Sequence, residues 1–282
     1  MSRYLALVLL ALVAGCDSDV PAASADGDAH TIWGQLDPTQ ARQALRVEPV
    51  SPTLDGRPEF VGRVVSEELE TGAETVWRDS LVRFRDGSQG HVFLADLRPS
   101  YGSTHEVRVE REGETVTYAR VTVPPRVRPV FEPLVVNARS HLDLLLPGAP
   151  RVVGARVLYS VVNTQAATPV GYVESVPVEP QDVTSIDVGW RVQIDFTRQV
   201  ELLRNRLRQL DVTRFAATEV RIVVSVVNDE WAAPYPFTFS PDLVIVPGTV
   251  SNVRGGYGFV GAGYTLDVTW RATAEDLRRL GL

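Results

Sequence analysis

The chain of 282 residues carries 28 basic and 35 acidic side chains, a formal net charge of −7, and one cysteine; all of its basic residues are arginines, because it contains no lysine. A lone cysteine excludes a disulfide framework and a thiolate metal cage, and the missing lysine excludes a Walker-type phosphate loop, a Schiff-base enzyme and a serine–lysine acyl transferase. Nucleic acid is a poor partner, since no basic cluster with interleaved aromatic residues offsets the acidity.

The first fifteen residues place one positive charge, Arg3, before an apolar run from Leu5 to Ala14 and a small residue, Gly15, before Cys16. This pattern predicts a signal peptide, too short to remain as a membrane span. Leu12-Val-Ala-Gly-Cys16 resembles the bacterial lipobox, which implies a lipid anchor on Cys16; two or more acyl chains at roughly 0.8 kcal/mol per buried CH₂ hold a protein to a membrane stably. Cleavage leaves 267 residues, enough for two ordinary domains or one large β domain. Residues 16–29 are small, acidic and unable to bury a core, and are expected to form a flexible tether. Asp17 after the cysteine matches both an outer-surface export rule of Bacteroidota-like lineages and an inner-membrane retention rule of enteric bacteria. The cell envelope is the expected location, with the outer membrane favoured.

Residues 30–124 read as short strands: Thr31 to Leu36, Gln43 to Val50, Phe60 to Ser66, Val76 to Arg85, His91 to Leu94, Glu106 to Arg111 and Thr115 to Val123. Asp86-Gly87 and Glu112-Gly113 sit between such runs, where tight turns need residues tolerant of positive φ. Seven short strands in this length predict an immunoglobulin- or fibronectin-like β-sandwich without its disulfide. Pro124-Pro125-Arg126-Val127-Arg128-Pro129 predicts a stiff connector.

Residues 125–282 predict a second β-rich domain with one inserted amphipathic helix. Ile186, Val188, Trp190, Val192, Ile194 and Phe196 alternate with polar residues or glycine, as do Tyr264, Leu266, Val268 and Trp270. Val220 to Val227 and Leu243 to Val246 are apolar enough for central strands. Val200, Leu203, Leu207 and Leu210 form a helical stripe, and Thr273, followed by Glu275 and Asp276, predicts the cap of a short terminal helix.

Motifs of chemistry are sparse. Gly256-Tyr-Gly258-Phe-Val-Gly261 has the letters of a dinucleotide fingerprint but leads into a strand, whereas pyrophosphate needs the glycines to open a helix; a glycine-rich loop or bulge is expected instead. His91 and His105 lack metal-ligand spacing, and Ser88 near His91 and Asp96 lacks a nucleophile elbow. Glu67, Glu68 and Glu70, or Asp229 with Glu230, supply carboxylates for glycoside chemistry or for calcium, though no EF-hand spacing occurs. No catalytic residues, cofactor or metal site are assigned. Trp231, Tyr235 and Phe237, with Trp77 in the first region, form the candidate binding surface, because such rings combine apolar area with a polar edge. The alternative is that these aromatic residues fold back and close a sheet end.

The lipobox, the strand ending at Leu36-Asp37-Pro38, Gly90-His91-Val-Phe-Leu94 leading to Tyr101-Gly102, the hairpin ending at Val121-Thr-Val-Pro124 and the late Ser251-Asn252-Val253-Arg-Gly-Gly256-Tyr-Gly258-Phe-Val-Gly261 together resemble an uncharacterised Bacteroidota-type lipoprotein family, the domain-of-unknown-function 4249 type, over most of the mature chain. Val260 departs from the pattern, standing where a second aromatic residue would follow Phe259. The resemblance implies an envelope lipoprotein, in some cases partnered with an outer-membrane transporter, and supplies no catalytic residues. The expected function is therefore a non-enzymatic, lipid-anchored module that binds a surface protein, transporter or glycan; the alternative is a glycan-directed envelope hydrolase using paired carboxylates.

Overall fold

The computed structural model describes residues 30–50, 60–85, 87, 89–137, 139–165, 168–231 and 251–282. These are largely β. The first strands are β1 (His30–Leu36), β2 (Gln43–Pro49), β3 (Arg63–Glu68), β4 (Ala73–Val76), β5 (Arg78–Arg83), β6 (Gln89–Ala95), β7 (Thr104–Arg111) and β8 (Glu114–Thr122). After the proline-rich connector come β9 (Val130–Phe131), β10 (His141–Pro147), β11 (Arg151–Asn163), β12 (Val170–Pro177), a 3₁₀ turn (Pro180–Asp182), β13 (Val183–Ile186) and β14 (Gly189–Asp195). Helix α1 (Phe196–Gln209), β15 (Phe215–Val227), β16 (Val253–Arg254), β17 (Gly256–Trp270) and α2 (Ala274–Leu280) complete the chain.

One eight-stranded sheet, ordered β12-β11-β15-β17-β1-β2-β6-β5, organises everything else. A five-stranded sheet, β16-β8-β7-β3-β4, and a four-stranded sheet, β13-β14-β10-β9, each pack against part of it. Ile32, Leu45, Phe93 and Val260 meet Val64, Val107, Val109 and Val121 in one core. Val157, Tyr159, Val224 and Trp270 meet Leu142, Leu144, Val192 and α1 in the other. Val260, Ala262, Tyr264 and Trp270 follow period two along β17, so both cores lie on the same face of the large sheet.

Strand β17 is the shared element. Its first half pairs in parallel with β1, Gly256 opposite His30 through Ala262 opposite Leu36, and its second half pairs antiparallel with β15. Parallel neighbours at the two ends of a chain need no local turn signal, and this pairing sends Val253 to Ala262 back to strands of the first region. The glycines of the fingerprint-like run serve this approach. A Cβ on Gly256 would meet the His30 carbonyl oxygen, and one on Gly258, at φ +118°, would meet that of Ile32; one on Gly261 would lie 2.5 Å from the Trp231 ring. They lie inside a strand rather than in the loop expected from the sequence.

The connector is tied to the same strand. The Tyr264 hydroxyl donates to the Pro125 carbonyl (2.9 Å) and accepts from the Val127 amide (2.9 Å), and its ring meets Tyr101 edge-on. Tyr264→Phe therefore leaves the amide of buried Val127 without its partner and removes a bond to the carbonyl of Pro125, at about 1–3 kcal/mol. A drop of that size in urea-unfolding free energy is expected, and a neutral substitution would show that water replaces the hydroxyl.

Two sequence expectations need correction. The run from Ile186 to Phe196 is not one strand: β13 and β14 form a hairpin that turns at Asp187-Val188, leaving Val188 64% exposed, while Phe196 already belongs to α1. The Asp-x-Gly signal of that turn outweighs the alternation. The helical stripe holds for Val200, Leu203 and Leu207, all buried, but Leu210 is the exposed C-cap. The terminal helix has the expected Thr273 cap, closed into a reciprocal capping box by Asp276.

Helix α1 also guards a sheet edge. β12 has only β11 beside it among the described residues. The Gln199 side-chain amide donates to the Pro177 carbonyl (2.8 Å), and the Arg206 guanidinium donates to the Ser175 carbonyl. Occupying these carbonyls from a helix blocks strand pairing along this stretch of the edge.

Candidate functional site

A concavity arises where β11 outruns β12. β12 pairs with Arg156 to Asn163 of β11, and the last bond on that side runs from the Val178 amide to the Ala155 carbonyl (2.9 Å). The chain then turns away through Glu179 into the 3₁₀ turn, while β11 bulges between Val152 and Gly154. Val152, Val153, Gly154 and Ala155 on one side, and Pro177 to Pro180 with Val183 on the other, enclose a groove of about 490 Å³. That volume falls in the range of ligand pockets, roughly 300–1,000 Å³.

The lining is apolar except for Glu179, whose carboxylate pairs with Arg198 of α1. Beside it, burial raises the Asp182 carboxyl above the usual carboxylate range; Arg198 opposes the shift, while Asp195 and Glu179 reinforce it. Asp195 is itself engaged as the cap of α1, accepting from the Arg198 amide. The groove thus offers apolar contact with a charged rim. Its sequence signals were a glycine inside a strand pattern and prolines just after one.

The aromatic residues singled out from the sequence are elsewhere. Trp77 is 3% exposed, lies in the first core and donates from Nε1 to the Ser66 hydroxyl at 3.0 Å. Trp231, also 3% exposed, covers Gly261 on the opposite face of the large sheet and packs with Phe259, Val227 and Trp33. As binding platforms both are corrected: each ring is buried, and the alternative of aromatic residues closing a core describes them. Tyr235, Phe237, the strand expected at Leu243 to Val246, and Cys16 lie outside the described residues.

The remaining polar candidates are held by structural partners. His91 Nδ1 lies 2.9 Å from the Asp79 carboxylate, whereas Asp96 binds Arg42 and Arg78; Ser88 is outside the described residues. The Ser103 hydroxyl donates to the Ser100 carbonyl (2.8 Å), so in its 2.9 Å contact with His105 Nε2 the ring is the donor. Both side chains are buried, and burial lowers the His105 pKa against the pull of Glu68 and Glu70. This pair pins a turn and offers no accessible nucleophile.

Glu70 accepts the Thr104 amide, which holds its carboxyl low. Glu67, Glu74 and Glu110 converge on the Arg108 guanidinium, and Glu230 accepts from Asn228. Among the described residues no group of three or more His, Cys, Asp or Glu side chains is placed to hold a metal ion, and no helix is long and apolar enough to cross a membrane. No family model matches the chain, and no curated protein matches it.

Proposed function

We propose that the protein is a non-enzymatic, lipid-anchored envelope module that holds a partner protein through the β11 groove. The groove carries this reading. Its lining buries apolar side chains well, but it has neither a ring for a sugar to stack on nor a row of hydrogen-bonding side chains, and the described tryptophans of the candidate surface, Trp77 and Trp231, are buried. A surface protein or outer-membrane transporter component therefore fits better than a glycan. The lipobox at Cys16 and the acidic tether support attachment to the membrane through lipid, with the outer membrane favoured, and the family resemblance supports the same assignment. The layers built from residues 30–124 are proposed as an immunoglobulin-like sandwich.

The test is a crosslinked pull-down of the lipidated protein from its native envelope, with the lipid and tether alone as control, repeated with Val153→Glu. Val153 is already half-exposed, so the charge enters the groove without entering a core. One envelope protein is expected near stoichiometric yield with the parent, and at least about tenfold less with the variant, since an unpaired charge in an apolar contact costs well over 1.4 kcal/mol. Equal recovery with both, or nothing above the control, overturns the reading.

One observation favours the alternative of a glycan-directed hydrolase: the raised Asp182 carboxyl beside the groove, the environment of a general acid. Its neighbours Glu179 and Asp195 are engaged with Arg198 and the helix cap. Asp182→Asn is expected to leave partner recovery unchanged; a glycan-cleaving activity that this substitution abolishes would instead establish the hydrolase.

A further inference from the structure

We infer that the open half of β12 pairs with β12 of a second copy, joining two large sheets edge to edge about a two-fold axis at Tyr172. This rests on the strand's hydrogen-bond pattern and is independent of the groove. In an antiparallel ladder the amide and carbonyl of one residue point to the same side, and the side alternates along the strand. The amide of Val178 bonds to β11, whereas the carbonyls of Ser175 and Pro177 accept from α1. Even-numbered residues of β12 therefore face β11, and Gly171, Val173, Ser175 and Pro177 face the edge.

Helix α1 covers only part of that edge. Pro177 has no amide to offer, and Gln199 and Arg206 occupy the carbonyls of Pro177 and Ser175. Among the described residues no backbone partner lies beyond Gly171 and Val173. Three of the usual protections are missing here: residues 170–176 contain no proline and no basic residue, their one charge being Glu174, and the β11–β12 register has no bulge. Val173 is 62% exposed, Val170 45% and the α1 cap Leu210 48%.

The geometry selects a second copy because the edge complements itself. Gly171 and Val173 bracket Tyr172, so a strand turned through 180° sets Gly171 against Val173 of the partner and the reverse, closing four backbone hydrogen bonds. A shallow depression beside this stretch is lined by Glu174, Arg206, Gln209 and Leu210. A two-fold interface repeats each patch on itself, and one that carries a carboxylate and a guanidinium together accumulates no net charge there.

The test uses the full lipidated protein in detergent micelles, followed by sedimentation over a concentration series. A monomer–dimer equilibrium is expected for the parent. Val173→Lys, a charge on a solvent-exposed edge position, is expected to leave the thermal unfolding midpoint unchanged at dilutions where the parent is monomeric and to raise the dissociation constant at least about tenfold. Gly171→Cys/Val173→Cys provides a second readout: opposed hydrogen-bonded residues stand about 5.5 Å apart at Cα, within disulfide reach. This variant is expected to give a covalent dimer on mild oxidation, while the parent and Val188→Cys, at an exposed hairpin tip, do not. A monomer at all concentrations, a dimer indifferent to Val173→Lys, or oxidation no faster than in Val188→Cys overturns the inference.

Discussion

Gly258→Ala is expected to abolish cooperative folding, or to lower the unfolding free energy by more than about 4 kcal/mol, at the extreme of single substitutions. Two costs combine. At φ +118° an alanine is strained by about 1–3 kcal/mol. Its methyl group would also fall inside contact distance of the Ile32 carbonyl and amide on the neighbouring parallel strand, where only backbone could give way. Relief requires β1 to move off β17, which breaks the centre of the eight-stranded sheet and uncovers Ile32 and Val260, two fully buried side chains. A domain with a total stability of about 5–15 kcal/mol has little margin for that loss. Gly72→Ala separates the two costs: its φ is +69° but no atom lies within 4 Å of the added carbon, so only the left-handed strain of about 1–2 kcal/mol applies. Urea-unfolding midpoints of both variants check the argument. Equal losses would mean that the close approach at Ile32 is unimportant.

The run around Gly258 also shows where sequence reading stops. Its letters and the strand following it were enough to reject nucleotide binding, because both are local properties. That the glycines lie within a strand and face β1 depends on a pairing between residues more than two hundred positions apart, which no local pattern encodes. Short-strand patterning located β1, β2, β7 and β8 to within a few residues, the apolar run from Val220 to Val227 found the second part of β15, and α2 could be read from its cap. Local signals misled where two of them competed, as at Asp187-Val188-Gly189, and they also ran the expected strand from Val76 to Arg85 through the break at Trp77 between β4 and β5. The site was less legible. Trp77 and Trp231 have the composition of a binding surface, yet their burial depends on Ser66 in one case and on the bare face of Gly261 in the other. The groove, conversely, is made of valines and prolines that read as ordinary core and turn. It exists because two paired strands differ in length, a relation between elements rather than a property of either.

Arg108→Met is expected to cost about 3 kcal/mol near neutral pH, with a loss that narrows as pH falls. Arg108 lies at the centre of β7 on the face away from the core, nearly buried by its three carboxylate partners. Removing one member of a buried charge pair costs about 3–5 kcal/mol because the other stays desolvated. Most of the effect is assigned to Glu110, whose side chain is 12% exposed; Glu67 and Glu74 are more open and are screened by water. Burial alone would raise the Glu110 carboxyl, but hydrogen bonds from Arg108 and Arg63 more than offset this and hold it below its ordinary value of 4.5. A carboxyl lowered by folding binds fewer protons in the native state. Its stabilisation is therefore complete above the unfolded-state pKa and disappears as pH drops through the folded-state value. In the methionine variant only Arg63 remains to hold Glu110 low, so the parent should lose more stability than the variant between pH 5 and pH 3, given ordinary carboxylate values of about 4. Parallel urea titrations across that interval measure the gap. If it stays constant, Arg108 contributes mainly through packing of its aliphatic stem, and the charge network on this face has little part in stability.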